Sequence, residues 1–280
     1  MPNNIELVTK FSANVDELFT TESQKSLVTN LDYSWAGAHT VKVYSVSVAG
    51  MNDYGRRGPE DENWSRYGAV EGLDATTQEM PLRKDRSFTF AIDRLDDDET
   101  GRALQAATAL ARQIREVVIP EVDTYTYNEM VENAGQIATP LTLTPENVYD
   151  AIIEGTNGMD NAEVPSVNRY LIVTPDTYRI MKRSKDIIME TDITADMRVR
   201  GVIAMIDGLH VVKVPAIRLP DDFGFLIAHP VATVAPTKLE DYRVHISPPG
   251  ISGALVEGRI CYDAFVLNNK KNALYYHANA

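Results

Sequence analysis

The chain has 280 residues, of which 44% are hydrophobic and 24% charged, a composition typical of a folded globular protein and not of a disordered chain or a fibre. The formal net charge is −13 and no three basic residues are consecutive, which argues against specific nucleic-acid recognition but allows an acidic wall that encloses nucleic acid. Cys261 is the only cysteine, so no intrachain disulfide can form. No apolar run approaches the roughly 18 residues of a membrane span, and the sequence predicts a soluble protein.

The first part of the chain predicts an arm followed by two separated strands. Residues 1–40 are weakly periodic and predict an extended arm with a short helix at Val15–Phe19. A strand is predicted at Thr40–Val48, where the side-chain alternation breaks and indicates a bulge near Tyr44–Ser45. A second strand is predicted at Arg86–Ile92, where alternate residues are apolar.

The segment between these strands, Ala49–Asp85, is too long for an ordinary connection. It carries five glycines and three large aromatic residues, Tyr54, Trp64 and Tyr67. Compact domains rarely contain a structureless loop of more than about 15 residues, and the aromatic residues argue against disorder. We therefore predict a two-armed projecting loop, whose aromatic side chains pack on a surface that their own domain does not supply.

The strongest helix signal follows this loop. Four acidic residues stand where a helix N-terminus favours negative charge, namely Asp96, Asp97, Asp98 and Glu99. Apolar residues recur at spacings of three and four from Ala103 to Val118, and Pro120 is expected to end the helix.

The remainder of the chain reads as mixed α/β structure. A helix is predicted from Pro145 to a closing Gly155, and a second one after the N-cap pair Thr174-Pro175. The expected strands are Tyr170–Val173, a hairpin turning at Asp207-Gly208, Gly224–Ala228, and a long ribbon formed by Ala254–Leu267 and Ala273–His277.

Known patterns of catalytic and metal-binding residues are absent from the sequence. The five histidines lack metal-ligand spacing, and neither a GxSxG elbow nor a phosphate-binding glycine loop occurs. We predict no catalytic residue, no metal site and no cofactor. The acidic cluster at Asp93 and Asp96–Glu99 leaves one enzymatic alternative open, an acidic Mg²⁺-dependent cytosolic enzyme. Helix N-terminal charge is the simpler interpretation, because consecutive helical residues point in different directions.

The order of these elements resembles the major capsid proteins of tailed double-stranded DNA bacteriophages, which share the HK97 fold. The stretch Leu82–Asp93, running into Asp96–Thr100 and the following helix, is similar to the strand that enters the family's spine helix. The segment Ile119–Asp123 resembles the exit from that helix, and Gly258–Leu267 is similar to the family's closing strands. The resemblance covers nearly the whole chain, as a series of elements more than as one motif.

This resemblance implies an α+β fold with four parts. They are an N-terminal arm (1–40), an extended β-hairpin loop (41–92), a peripheral domain with the spine helix and long strands (93–120 and 248–280), and an axial domain (121–247). It also implies that the acidic residues Asp96, Asp97, Asp98 and Glu99 cap the spine helix.

The function implied is structural and not enzymatic. Members of this family form hexamers and pentamers that build an icosahedral head shell around phage DNA, so the expected location is the virion capsid, assembled in the bacterial cytoplasm. The extended loop is expected to contact a neighbouring subunit through Tyr54, Arg56, Arg57, Trp64, Arg66 and Tyr67. The expected partners are further copies of the chain, a separate scaffolding protein, a portal and decoration proteins, with packaged DNA held only non-specifically and no membrane.

Two departures from the family pattern carry expectations of their own. Some members crosslink neighbouring subunits through a lysine of the extended loop, but no lysine lies between Lys42 and Lys84, so we expect no such crosslink. The chain reaches its first strand by Val41, which leaves no room for a fused scaffolding segment and favours a separate scaffolding protein. Within the same fold, an encapsulin-type nanocompartment stays open as an alternative, although Pro2–Phe11 does not resemble the encapsulin opening helix.

Overall fold

The computed structural model describes residues 23–30, 32–33, 40–57, 65–68, 72–99, 105–187 and 202–280. The predicted helix at Val15–Phe19 lies outside these residues. The helices are α1 Lys25–Val28, α2 Arg94–Glu99, α3 Ala106–Gln113, α4 Ile119–Glu132, α5 Val148–Asn161 and α6 Pro175–Met181. The strands are β1 Thr40–Val46, β2 Ala75–Pro81, β3 Lys84–Asp93, β4 Gln136–Ile137, β5 Arg169–Val173, β6 Val202–Ile206, β7 Leu209–Lys213, β8 Phe223–Ala228, β9 Thr233–Val234, β10 Thr237–Ile246, β11 Gly253–Tyr262, β12 Phe265–Val266 and β13 Leu274–Ala278.

The chain divides into two units, and the smaller one, Gly37–Pro81, is a β-hairpin. Strands β1 and β2 pair antiparallel in continuous register from Thr40↔Pro81 to Val46↔Ala75. The opposed side chains of Lys42 and Glu79 form an ion pair at 2.5 Å. We call this part of the chain the hairpin unit.

Two predictions about this hairpin were wrong. The returning strand is β2 and not Arg86–Ile92, because β3 pairs with β11 in the larger unit. Strand β2 was missed because its sequence, ATTQEMP, has no apolar alternation. The bulge near Tyr44–Ser45 is also absent, since the register is unbroken. Val46 is 57% exposed, so no buried face requires β1 to alternate.

A three-stranded antiparallel sheet, in the order β10-β11-β3, forms one part of the larger unit. Gly258 of β11 lies between its cross-strand partners Phe88 and Tyr242. The two rings stack with their centroids 6.1 Å apart. A side chain at Gly258 would collide with the Phe88 ring, so glycine allows this ring to lie across the strand.

The spine helix runs from Ala106 to Glu132, longer than predicted at its C-terminal end. Pro120 does not end it, because a π-helical turn at Ile114–Val118 comes first and bonds the Ile119 N–H to the Ile114 carbonyl. This wider turn accommodates the proline ring and its missing N–H donor. The predicted start was also wrong, since Gln105, directly before α3, has a non-helical backbone with φ −52° and ψ 130°.

A six-stranded mixed sheet forms the rest of the larger unit, in the order β4-β13-β8-β5-β7-β6. Helices α1 and α4 cover one face, where Val28, Tyr127, Met130, Ile172 and Leu226 share a buried cluster. Helices α5 and α6 cover the other, where the buried cluster includes Val148, Ile152, Met181, Leu171 and Ile227. Alternate residues of β5 and β8 therefore face two different cores. This part of the protein is a three-layer sandwich, with helices on both faces of the sheet.

The ribbon predicted near the C-terminus does not form. Strand β11 pairs with β10 and β3, whereas β13 pairs with β8 and β4 in the six-stranded sheet. Consequently the sheet that packs on the spine helix takes β10 from the predicted axial range, and the six-stranded sheet takes β13 from the predicted peripheral range. Local pairing signals did not reveal this exchange because β11 pairs with the distant β3, and β13 with the distant β8 and β4.

Three other local predictions can be compared directly. The hairpin at Asp207-Gly208 is confirmed, with positive φ angles of 50° and 78° at the two turn residues. The Thr174 side chain accepts a hydrogen bond from the Thr177 N–H, which confirms the predicted N-cap. Gly155 does not close its helix, because α5 continues to Asn161.

Candidate subunit interface

The hairpin unit exposes an unusual number of large apolar side chains. They are between 50% and 100% exposed, and comprise Tyr44, Val46, Val48, Met51, Tyr54, Tyr67 and Leu73. Single exposed apolar residues are common on protein surfaces, but such a concentration within one small unit is typical of a surface that another molecule covers.

Residues 54–57 and 65–68, which we call the tip of the hairpin unit, have a defined geometry. The Gly55 N–H donates a hydrogen bond to the Arg66 carbonyl at 2.9 Å, which joins residues 54–57 to residues 65–68. The rings of Tyr54 and Tyr67 then meet edge to face with their centroids 5.0 Å apart. Of the predicted interface aromatics, the structure therefore brings these two together and leaves them on the surface.

The predicted arginines also lie at this tip. Arg56 and Arg57 occupy an exposed turn, and Arg66 is exposed on the opposite segment. None of them forms an ion pair with another residue that the structure describes. Trp64, the remaining predicted interface residue, lies outside the described residues. The tip thus presents three cations beside two tyrosine rings.

The predicted acidic cap lies in a helix of its own. Asp96, Asp97 and Asp98 belong to α2, and the side chain of Glu99 is outside the described set. The residue that caps α2 is Asp93, whose Oδ1 accepts a hydrogen bond from the Leu95 N–H at 2.8 Å. The cluster therefore does not cap the spine helix, because Gln105 interrupts the helical path before Ala106.

A buried carboxylate, which the sequence analysis missed, lies directly after β11 and joins the residue before β3 to the spine helix. Asp263 is 1% exposed and accepts hydrogen bonds from the Arg83 backbone N–H at 2.7 Å and the Tyr125 hydroxyl at 2.7 Å. It also accepts from the Ala264 N–H at 2.8 Å, while Arg83 extends to Glu129 at 3.3 Å. Burial, together with the neighbouring Asp263, raises the pKa of Tyr125 and keeps its hydroxyl a donor. The sequence signal was an aspartate inside an apolar run, since a buried charge requires partners.

A second buried group anchors residues near the end of the arm. Asp123 of α4 pairs with Arg218 at 2.9 Å, and the Ser23 hydroxyl donates to the same carboxylate at 2.6 Å. Burial raises the pKa of Asp123, against the opposing effects of the Ser23 hydrogen bond and the Arg218 charge. Leu27 and Val28 are buried nearby, so residues 23–30 are fastened to the body.

The described residues contain no group of three or more His, Cys, Asp or Glu side chains that could hold a metal ion. Among the helices that the structure describes, none is long and apolar enough to cross a membrane.

Comparison with known proteins was informative only at the level of structure. No protein-family model and no curated protein matches the chain. A structure from Mycobacterium phage Che8 superposes with a TM-score of 0.73 at 17% identity, over 99% of this chain and 98% of that one. The capsid structure of cyanophage P-SCSP1u gives 0.70 at 13% identity, over 100% and 97%.

The chain has the HK97-type capsid fold. A virus-like particle from Pyrococcus furiosus is also similar, with a TM-score of 0.55 at 10% identity, over 92% of each chain. The fold class predicted from the sequence is therefore confirmed, while the boundaries of its parts differ as described above.

Proposed function

We propose that the chain is the major capsid protein of a tailed bacteriophage. Its copies form hexamers and pentamers that close into an icosahedral head around double-stranded DNA. The observation that carries this proposal is the hairpin unit, whose large apolar side chains are exposed and whose three tip arginines form no ion pair with another described residue. The likeness of the whole chain to a phage capsid structure supports it.

In this proposal the hairpin unit lies on an adjacent subunit. Tyr54 and Tyr67 pack there as a paired aromatic anchor, which is the kind of residue that dominates protein interfaces. Arg56, Arg57 and Arg66 meet acidic side chains of the neighbour, which the net charge of −13 makes abundant. The same charge keeps packaged DNA from adhering to the wall.

The partners follow from this role. A scaffolding protein guides shell size, a portal occupies one vertex, and decoration proteins bind the outside. The location is the virion capsid, after assembly in the host cytoplasm, and the chain has no enzymatic activity.

The second candidate is an encapsulin-type compartment, favoured by the likeness to the Pyrococcus furiosus virus-like particle. Its TM-score of 0.55 is lower than the 0.73 and 0.70 of the phage structures, so the phage capsid is preferred. Electron microscopy separates the two, because an encapsulin closes alone into uniform shells, whereas a scaffold-dependent capsid protein gives irregular or open ones.

The decisive experiment reverses the charge of the tip. We expect Arg56→Glu with Arg57→Glu to lose closed particles in size-exclusion chromatography and electron micrographs, while the variant subunits keep the wild-type circular dichroism. The matched control is Arg56→Lys with Arg57→Lys, which retains the charge and should assemble. Normal assembly of the glutamate variant would contradict the electrostatic role of Arg56 and Arg57 in the interface. Wild-type protein that stays a small soluble species, even with its scaffolding protein, would contradict the capsid function itself.

A further inference from the structure

One helix of the six-stranded sheet domain carries only negative charge. From Glu146 to Glu163 the chain has five acidic residues and no lysine or arginine. Asp150, Ile153, Glu154 and Asn157 stand on one side of α5 at helical spacing, and all four are exposed. We call these four residues the acidic face.

Positive charge collects at the end of the neighbouring helix. Lys182, Arg183 and Lys185 follow α6 directly and are exposed. Lys213 of β7 joins them, because the ammonium groups of Lys182 and Lys213 lie 5.1 and 5.7 Å from the centre of the Tyr178 ring. We call these four residues the basic cluster. Such a concentration is notable in a chain with 27 basic and 40 acidic residues.

Neither surface forms an ion pair with the described part of its own chain, although the exposed Asp186 follows Lys185 in sequence. Other charges of these two helices do have partners, since Asp160 binds Arg169 at 2.6 Å and Arg179 binds Asp176 at 3.1 Å. By contrast, the carboxylates of the acidic face and the cations of the basic cluster form no ion pair with any residue in the described ranges.

The two surfaces lie toward different edges of one sheet face. Helix α5 packs over β13 and β8, where a side chain at Gly155 would meet Tyr275 and Ile227. The basic cluster lies beyond β5, at β7. In the order β4-β13-β8-β5-β7-β6, β13 and β7 are three strand spacings apart, or about 14 Å. A subunit therefore presents negative charge toward one edge and positive charge toward the other.

We propose that the acidic face of one copy docks on the basic cluster of the next copy, as a head-to-tail contact that repeats around each capsomer ring. This inference rests on the proposed capsid function and identifies surfaces that hold the ring together. Two different surfaces of identical subunits meet in a heterologous contact, which generates a closed ring when the rotation closes. Ile153, 38% exposed, is the apolar centre of the contact, and the charges around it set orientation and association rate.

The test uses two charge-reversed full-length variants. The first carries Asp150→Lys and Glu154→Lys, and the second carries Lys182→Glu, Arg183→Glu, Lys185→Glu and Lys213→Glu. Each variant presents like charges on both surfaces, so we expect each alone to lose capsomers, with at least a tenfold weaker association in sedimentation velocity. Circular dichroism and the melting temperature should match the wild type. The neutral variant Asp150→Asn with Glu154→Gln should weaken association less, which keeps the test available if a reversed variant fails to fold.

Mixing the two variants gives the sharpest outcome. In an alternating ring each contact again joins opposite charges, so the mixture should recover hexamers, observable by native mass spectrometry. A five-membered ring cannot alternate, so pentamers should stay absent. The recovered hexamers cannot consist of one variant alone, because neither variant carries both signs of charge on these surfaces. Wild-type assembly by either variant alone, or folded variants that fail to recover hexamers on mixing, would overturn this inference while leaving the capsid function standing. A wild-type chain that forms no capsomers would instead contradict the capsid function.

Discussion

At the scale of single residues, Asp263 shows how one buried charge organises its surroundings. Its two oxygens accept hydrogen bonds from the backbone of Arg83 and Ala264 and from the Tyr125 hydroxyl. Arg83 lies two residues beyond the end of the hairpin unit, and Tyr125 lies on the spine helix. The carboxylate thus ties the residue before β3 to the spine helix.

We expect Asp263→Ala to lower the free energy of unfolding by about 2–4 kcal/mol, because it leaves buried donors without an acceptor and removes the partner of Arg83. Urea denaturation monitored by circular dichroism measures this loss. The matched control is Asp85→Ala, which removes an exposed carboxylate paired with Arg259 on the same sheet and should change stability little. Equal effects of the two substitutions would refute the anchoring role of Asp263.

At the scale of secondary-structure elements, one proline and one glycine lie inside helices because of the residues packed around them, although both residue types disfavour helix interiors. Pro120 remains inside a continuous helix because the π-helical turn before it provides room. Gly155 remains inside α5 because a side chain there would come within 2.7 Å of the Tyr275 ring. Both residues look like helix ends in the sequence, but the structure around each of them lets the helix continue.

Gly155→Ala should therefore destabilise the protein by about 1–3 kcal/mol, although alanine is the better helix former. The reason is that a methyl group would overpack the contact with Tyr275 and Ile227. Thermal unfolding gives the measurement. Asn157→Ala, two residues away on the exposed side of α5, serves as control and should leave the midpoint unchanged or slightly raised. A stabilised Gly155→Ala variant would show that Tyr275 and Ile227 can move aside for the methyl group, and would contradict this prediction.

At the scale of the whole molecule, the hairpin unit and the six-stranded sheet domain leave different surfaces uncovered. The hairpin unit exposes aromatic and aliphatic side chains, whereas the helical layer of α5 and α6 exposes separated charges of opposite sign. We expect the first kind of surface to link neighbouring subunits by burial and the second to set the order of subunits within a ring. An assembling protein needs both, because burial supplies affinity and charge supplies orientation.

The linkage between subunits should be non-covalent. No lysine lies between Lys42 and Lys84, so the tip of the hairpin unit offers no amine for an isopeptide bond. Mature particles boiled in denaturant should run as a single monomer band on a gel. A ladder of covalent multimers in wild-type particles would contradict this expectation, and mass spectrometry of the crosslinked peptide would identify the donor.

Local chemistry by itself determined several parts of this protein. The Thr174 N-cap, the Asp207-Gly208 turn and the alternating strand at Phe88 and Phe90 could all be read from short stretches, because turn, cap and burial preferences act over a few residues. The order of these elements also sufficed to predict the HK97-type fold class.

Only the tertiary structure decided which strands pair and which charges meet. Strand β2 lacks an apolar pattern, and β11 and β13 exchange the partners that their adjacency in sequence suggested. Asp263 and Arg83 are 180 residues apart, so no local pattern links them. The same applies to the continuation of the spine helix past Pro120, since room for the proline ring depends on the turn before it. Pairing, burial and close packing are properties of residues distant in sequence, which is why the three-dimensional arrangement had to supply them.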